Sequence, residues 1–296
     1  MKRILLTGAT GFIGSNIIMP LLADGFEVHA VSLSSNSQKY IEENNVIWHA
    51  SNLLDTESSI SLIEDVRPTH LLHFAWYTEH GAYWESPINL KWKQASIRLV
   101  EAFCNAGGQK VVIAGTCAEY DWAHGYCSED LTPLNPTTLY GVAKDATRNL
   151  TMAMCSKHQV DYAWGRIFLP YGKGEDIRRL IPSLVAVFQD KLPPFGVNAS
   201  AYRDFLHVQD VATGFIALLQ KDVVGVYNIC SGKPVQLSEV VRQIAQEYGG
   251  DPKIVLNLSS ERLGEPALLV GNNQKLKSLG WEQQYLLTKM PQKIYL

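Results

Sequence analysis

The sequence is poor in the features that mark several protein classes. Five cysteines are an odd number and form no CxxC or CxxH pair, so neither a disulfide framework nor a metal site is expected. No block of like charge occurs among 26 basic and 29 acidic residues, which argues against nucleic acid or a membrane surface as partner. No apolar run approaches the roughly 18 residues of a membrane span. Glycines interrupt the apolar N-terminal stretch where a signal peptide would continue, so we expect a cytoplasmic protein with a small-molecule partner.

What the sequence does contain is a regular alternation of two kinds of segment. Short runs rich in β-branched and aromatic residues, such as RILLTG, EVHAVSL, NVIWHA and KVVIAGT, predict strands. Longer amphipathic stretches at 13–24, 56–66, 89–106 and 140–158 predict helices between them. Such alternation indicates an α/β fold with a parallel sheet, helices on both faces and ligands at the carboxyl ends of the strands.

The alternation becomes less regular from about residue 170. We therefore expect a dinucleotide-binding domain of the Rossmann type over residues 1–170, to which about 205–230 returns. Residues 171–296 are expected to form mainly a smaller α/β lobe that binds substrate. A chain of 296 residues is long enough for one large domain with such a lobe.

A glycine pattern supplies the first indication of a site. TGATGFIG places Gly8, Gly11 and Gly14 between a predicted strand and a predicted helix. Glycine lets the backbone approach a pyrophosphate, and the N-terminus of the following helix attracts the anion. The spacing GxxGxxG in this context predicts a dinucleotide site, whereas an ordinary turn between strand and helix is the alternative.

Further motifs occur in order along the chain: LLHFAW, LYGVAK, GRIFLPYG, RDFLHVQDVA and YNICSG. Together with the glycine loop they resemble the extended short-chain dehydrogenase/reductase family, in its sugar-nucleotide epimerase/dehydratase branch. The resemblance implies an NAD(P)-dependent enzyme that acts on a nucleotide sugar, and a homodimer that associates through two helices. It implies a cofactor site made of the following residues: Gly8, Thr10, Gly11, Phe12, Ile13, Gly14, Ser32, Ser34, Asn52, Leu53, Phe74, Ala75, Trp76, Tyr140 and Lys144.

The candidate catalytic residues are Thr116, Tyr140 and Lys144. Tyr140 and Lys144 are four residues apart in a predicted helix, so both side chains rise from one face. A free tyrosine has a pKa near ~10, and a nearby ammonium together with an oxidised nicotinamide would favour the phenolate. Thr116 ends the KVVIAGT run, where the resemblance places a hydroxyl that holds the substrate oxygen. The alternative is a core tyrosine beside a solvated lysine.

Departures from the family pattern reduce the number of reactions that we expect this chain to catalyse. Dehydratases of the family carry acids directly after this threonine, where the present chain has Cys117 and Ala118. Elimination of water therefore lacks a catalyst. Cys117 stands one residue too early for the cysteine of epimerase-reductases, which puts epimerisation at carbons 3 and 5 in doubt. It is a candidate substrate contact or a small buried residue.

Three functions remain open. A 4-ketoreductase would reduce a 4-keto-6-deoxy nucleotide sugar, a 4-epimerase would hold NAD tightly, and a non-catalytic dinucleotide sensor would bind a protein partner. NAD-selective members carry an acid at the end of the second strand, where this chain has Ser32. Ser34 and its neighbours could donate to a 2′-phosphate. We therefore expect NADP(H) to be preferred, with NAD(H) possible, and the ketoreductase to be the main function.

Candidate substrate ligands follow from the loops beyond the strand ends and from two arginines. Guanidinium groups suit the oxygens of a diphosphate, and the resemblance assigns that role to Arg203 and Arg262. Aromatic residues at the loops could form the floor of a sugar site or close an interface between the two lobes. The aromatic candidates are Tyr77, Trp84 and Trp122.

Overall fold

The computed structural model describes residues 2–33, 45–220, 222–261 and 264–287. The strands within these residues are, in chain order, β1 (Arg3–Thr7), β2 (Glu27–Ser32), β3 (Val46–Ala50), β4 (His70–His73), β5 (Lys110–Thr116), β6 (Tyr126–Cys127), β7 (Asp161–Ile167), β8 (Leu169–Tyr171), β9 (Tyr202–Arg203), β10 (Phe205–His207), β11 (Gly225–Ile229), β12 (Val235–Gln236) and β13 (Leu268–Gly271). The helices are α1 (Phe12–Ala23), α2 (Thr56–Val66), α3 (Ile88–Asn105), α4 (Leu139–Lys157), α5 (Leu180–Phe188), α6 (Val208–Leu218), α7 (Leu237–Tyr248), α8 (Lys253–Leu256) and α9 (Gln274–Lys277).

The main sheet has seven strands in the order β11-β7-β5-β4-β1-β2-β3. Every neighbouring pair is parallel. The chain winds outward from β1 to β3 and then crosses to β4, so the direction of winding reverses between β1 and β4. Side chains at the carboxyl ends of these two strands border the crevice where doubly wound folds bind ligands.

Alternating side chains of β1 face two separate cores. Ile4 and Leu6 join the core under α1 and α6, which includes Phe215. Leu5 points to the opposite face and joins the core under α2, α3 and α4, which includes Phe103. Both faces of the sheet are therefore covered by helices, and the predicted fold class, a doubly wound parallel α/β sheet, is confirmed.

A third core lies among the later elements and supports one side of the crevice. It contains the apolar faces of α5 and α7 together with Tyr171 and Phe205, which stand on the paired strands β8 and β10. Four short strands form another sheet in the order β12-β9-β13-β6. These elements hold the segment that follows Gly172 against the end of the main sheet.

All five cysteines are free thiols, and all are buried. Cys117, Cys127 and Cys230 share one apolar cluster below the short strands. Cys104 of α3 and Cys155 of α4 lie in the core between those helices, with 3.9 Å between their Sγ atoms. The cysteines therefore act as small apolar residues.

Candidate active site

A cleft of about 810 Å³ opens at the carboxyl ends of the central strands. The glycine loop forms one end of it, and the residues after β4 form a wall. Thr116, Tyr140 and Lys144 lie in its lining, so the three candidate catalytic residues share one cavity with the loop that was predicted to bind a dinucleotide. The candidate cofactor residues that line this cleft are Gly8, Gly11, Phe12, Ile13, Gly14, Phe74, Ala75, Trp76, Tyr140 and Lys144.

The glycine loop has the backbone geometry that such a site requires. Gly8 has a φ of +69°, a conformation that favours glycine. A Cβ on Gly14 would lie 2.0 Å from the carbonyl oxygen of Gly8, so the loop and the first turn of α1 pack backbone to backbone. Gly11 is the N-cap of α1 and has no side chain to cap it. The positive end of α1 therefore faces the cleft, which fits the pyrophosphate of a dinucleotide.

The start of α4 positions Tyr140 and Lys144. Thr138 caps the helix, since its hydroxyl accepts a hydrogen bond from the Gly141 amide at 3.1 Å. Tyr140 and Lys144 are one turn apart, and both are buried. The Thr116 side chain lies close enough to the Tyr140 phenol to oppose part of the rise in its pKa. The structure thus brings the three predicted side chains together.

Thr116 ends β5 and begins a 3-10 turn over Cys117–Glu119. Its Oγ1 accepts a hydrogen bond from the Ala118 amide at 3.2 Å. Oγ1 can still donate its own proton, because the bond to the amide uses only a lone pair. Thr116 is therefore able to donate to an oxygen placed next to Tyr140.

Burial dominates the electrostatics of both titratable groups. It raises the pKa of Tyr140 although the neighbouring Thr116 side chain favours the phenolate, which differs from the lowered phenol pKa expected from the sequence. Burial lowers the pKa of Lys144 to about 7, and the negative charge of Glu119 partly opposes this effect. The Lys144 Nζ donates to the Ala114 carbonyl at 2.9 Å and lies 4.0 Å from the centre of the Trp76 ring. Without a further cation, Tyr140 is a proton donor at neutral pH.

The end of the cleft expected to hold the adenosine differs in detail from the prediction. Ser32 is buried at the end of β2, while Leu33 and Leu54 line the cleft. Leu53 lines a smaller adjoining cavity of about 300 Å³. Ser34 lies outside the described residues. Thr10 and Asn52 are exposed, and the Asn52 side chain accepts a hydrogen bond from the backbone amide of Leu54.

One of the three aromatic substrate candidates lines the cleft, and the other two pack next to its lining. Tyr77 lines the cleft, and so does Tyr83, which the sequence did not single out. The Trp84 ring packs edge-on against Tyr140 at 5.8 Å, and its carbonyl accepts from the Tyr140 amide. Trp122 donates from Nε1 to the carbonyl of Cys117, a buried residue. Trp84 and Trp122 therefore contact Tyr140 and Cys117 without lining the cleft themselves.

The position of Arg203 also differs from the prediction, and another arginine lines the cleft. The Arg203 guanidinium donates to the carbonyls of Pro266 and Tyr202, so its partners are backbone groups at the short strands β9 and β13. Arg262 lies outside the described residues. Arg179, which the sequence did not single out, lines the cleft at the start of α5 and pairs with Glu175 at 3.3 Å. A basic residue beside a helix start was the only sequence signal for it.

Among the described residues, no group of three or more His, Cys, Asp or Glu side chains is arranged to hold a metal ion. None of the helices in the same ranges is both long and apolar enough to cross a membrane.

Comparisons with known proteins agree with this geometry. A UDP-glucose 4-epimerase of Neisseria meningitidis serogroup C is 27% identical over 98% of this chain and 95% of the relative. The solved UDP-Glc/GlcNAc 4-epimerase of Campylobacter jejuni superposes with a TM-score of 0.86 at 21% identity, over 97% of this chain and 96% of that one. The UDP-glucose 4-epimerase of Thermus thermophilus, solved with NAD, gives a TM-score of 0.79 at 24% identity, over 95% and 94%.

Residues 4–230 match the NAD dependent epimerase/dehydratase family. The match runs from β1 to the first residue after β11 and includes the glycine loop, Thr116 and the start of α4. The members of this family are enzymes that act on sugar nucleotides, which confirms the expectation of an enzyme. The family resemblance read from the motifs is confirmed as well: this chain belongs to the NAD dependent epimerase/dehydratase family.

Proposed function

We propose that the protein is a nucleotide-sugar 4-epimerase that works with tightly bound NAD. The observation that carries the proposal is the grouping of Thr116, Tyr140 and Lys144, the last two one turn apart on α4, in the lining of a cleft that begins at the glycine loop. The sequence-based expectation put a 4-ketoreductase first. The UDP-glucose 4-epimerases among the relatives favour the epimerase, which was the alternative.

The residues present fit the roles that a nicotinamide dinucleotide requires. Gly8, Gly11 and the first turn of α1 would hold the pyrophosphate, and Lys144 would contact the ribose next to the nicotinamide. NAD, when bound, supplies a hydride acceptor that later returns the hydride, and a positive charge that favours the Tyr140 phenolate.

Tyr140 is the group that moves the proton. As a phenolate it removes the proton from the 4-hydroxyl of the sugar while carbon 4 is oxidised, and as a phenol it returns that proton to the carbonyl oxygen when the alcohol forms again. Thr116 holds the same oxygen by donating a hydrogen bond, and Lys144 stabilises the phenolate from one turn away. Rotation of the keto sugar between the two steps changes the face that is reduced.

Dehydration is not supported by the side chains after Thr116. Cys117 and Ala118 are buried and carry no acid. The next residue, Glu119, is an acid, but its carboxylate is held by Arg166 and Trp164 behind the turn. The site therefore offers proton transfer at one sugar oxygen, without an acid and base pair for elimination.

Ser32 is the reason to keep the ketoreductase as a second candidate, because the lack of an acid at this position is the feature that predicted NADP(H), the cofactor of such a reductase. Ser32 stands at the end of β2, where NAD-selective members carry an acid. The family and the solved relatives with NAD nevertheless favour NAD over the expected NADP(H), so we place the reductase second.

One set of measurements separates these functions. Freshly purified protein is denatured, the released dinucleotide is identified, and UDP-glucose, UDP-galactose and their N-acetyl forms are tested for interconversion. Released NAD together with interconversion supports the epimerase. An empty protein that oxidises NADPH with a 4-keto-6-deoxy nucleotide sugar supports the reductase. Dinucleotide binding without turnover of any of these substrates supports the sensor and removes the epimerase.

A further inference from the structure

Glu119 is an acid that lies directly behind the catalytic threonine, yet it does not line the cleft. Its side chain is completely buried. One carboxylate oxygen accepts from the backbone amide of Thr116 at 2.9 Å, and the other accepts from Arg166 Nε at 2.7 Å. Both oxygens also accept from the Trp164 indole, at 2.9 and 3.1 Å. Glu119 thus connects β7 to the residue that would hold the substrate oxygen.

The surroundings are shaped around this carboxylate. A Cβ on Gly115 would lie 2.0 Å from the Trp164 Nε1, so only glycine leaves space for the indole to reach Glu119. The Arg166 guanidinium lies 4.4 Å from the centre of the Tyr120 ring, which covers the ion pair. A buried ion pair contributes little net stability, because desolvation opposes the attraction. A packing role alone therefore does not explain this arrangement.

The same turn is in contact with the catalytic helix. A Cβ on Gly141 would lie 2.4 Å from the Ala118 carbonyl oxygen, so α4 and the turn touch backbone to backbone. Arg148, one turn beyond Lys144, places Nε 3.9 Å from the Glu119 carboxylate. A shift of Glu119 would therefore move Thr116 relative to Tyr140.

Apart from Glu119, few charged groups lie close enough to Lys144 to affect its pKa. His73 of β4 is bonded through both ring nitrogens, to Thr7 and Ser96, and burial lowers its pKa to about 3, so it stays neutral. The uncharged groups nearby are the Trp76 ring and the Tyr140 phenol. On its own helix, Asp145 is engaged with Arg148 at 2.8 Å.

Glu119 is the acid that acts on Lys144. Its negative charge raises the pKa of Lys144, against the lowering caused by burial. The same charge raises the pKa of Tyr140. Both catalytic groups therefore respond to one carboxylate.

We propose that Glu119 is a positioning residue of the reaction: it fixes Thr116 through the backbone amide, holds the turn against which α4 packs, and supplies a negative charge to the buried site. The inference rests on the proposed function, because it assigns Glu119 to the same reaction. Glu119 does not line the cleft. It also differs from the acids of the dehydratases, which stand directly after the threonine, where this chain has Cys117 and Ala118.

The test is Glu119→Gln, which keeps the size and an acceptor oxygen but removes the charge. We expect turnover to fall roughly ten- to a hundredfold, because a small displacement of a catalytic group is costly. The pH profile of turnover should move to lower pH by about one unit, because both titratable groups lose a nearby negative charge. Cofactor retention should not change. An unchanged pH profile would overturn the proposal.

Two further variants keep the test decisive. Glu119→Gln combined with Arg166→Gln leaves no unpaired buried charge, so it carries the same test if the single variant fails to fold. Asp210→Asn is the matched control: Asp210 is also a buried carboxylate, but it accepts from the amides of Gln284 and Tyr285. We expect it to lower the melting temperature without moving the pH profile.

A stability cycle separates this inference from the proposed function. Melting temperatures of the wild type, Glu119→Gln, Lys144→Met and the double variant are measured from about pH 6 to about pH 10. Coupling between the two sites at low pH that disappears at high pH supports the inference, even if no substrate is turned over. Additive effects at every pH would refute it, whatever reaction the wild type performs.

Discussion

The ammonium of Lys144 lies over the indole ring of Trp76, 4.0 Å from the ring centre. Trp76 is itself held by its Nε1, which donates to Asn89 Oδ1 at 2.8 Å. A buried cation is thus enclosed by an aromatic face and the Ala114 carbonyl, which together replace only part of its hydration. The cost of this burial appears as a Lys144 pKa of about 7.

Replacing Lys144 with methionine should therefore raise stability at neutral pH. The unfolded chain binds the proton of this lysine more tightly than the folded chain does, from about pH 7 up to the ordinary pKa of 10.5. Wild-type stability consequently rises with pH across this window. We expect Lys144→Met to melt several degrees higher at pH 7 and the difference to shrink towards pH 10. A variant that melts lower at every pH would show that the lysine is not destabilising.

Tyr140→Phe should abolish most of the turnover and leave cofactor retention intact. In the proposed reaction the phenol is the proton-transfer group, and such groups contribute about 10²- to 10⁴-fold. Tyr162→Phe is a suitable control, because Tyr162 is another buried phenol, which accepts a hydrogen bond from the Thr151 hydroxyl in the core. The measurements are turnover and the amount of dinucleotide released on denaturation. Near-normal turnover of Tyr140→Phe would remove this residue from the reaction.

Arg179→Gln should weaken substrate binding more than it slows the reaction. Arg179 lines the cleft, and a guanidinium is well suited to the oxygens of a nucleotide diphosphate. We expect KM to rise roughly tenfold, which corresponds to about 1.4 kcal/mol, with kcat little changed. The neighbouring Arg178 is half-exposed and pairs with Glu79 and Asp176, so Arg178→Gln is the control. Equal effects of the two substitutions on KM would argue against a specific role for Arg179.

Gly14→Ala should prevent dinucleotide binding and destabilise the fold. Its new methyl group would lie 2.0 Å from the Gly8 carbonyl oxygen, so the loop or α1 must move. Gly214 of α6 provides the comparison, because a Cβ there is 3.4 Å from the nearest atom, an Ile229 side-chain carbon. Gly214→Ala should be neutral or stabilising by up to about 1 kcal/mol. Calorimetric titration with NAD and melting curves measure both effects.

The fold and the centre of the site were predictable because short-range patterns determine them. The alternation of apolar runs located β1, β2, β3, β5 and the first four helices to within about a residue, and the spacing of Tyr140 and Lys144 placed them on one face of α4. The conformation of the glycine loop was equally predictable, since it depends on local backbone geometry.

Side chains at the rim were harder to predict, because distant contacts decide where they point. Arg203 donates to the carbonyl of Pro266, 63 residues away, and Glu119 pairs with Arg166, 47 residues away. Neither partner can be identified from spacing. A local signal for Glu119 did exist, because Thr116 and Glu119 have the spacing of a capping box, and the structure contains that box.

The five buried thiols can be used to measure local opening of the fold. A reagent that alkylates thiols will not react with the closed form, so the labelling rate measures how often each region exposes its interior. Cys104 and Cys155 report on the layer of α3 and α4, whereas Cys127 and Cys230 report on the cluster under the short strands. Mass spectrometry of the labelled peptides would reveal which of these two regions opens first, and whether a bound dinucleotide slows the labelling of one region or of both.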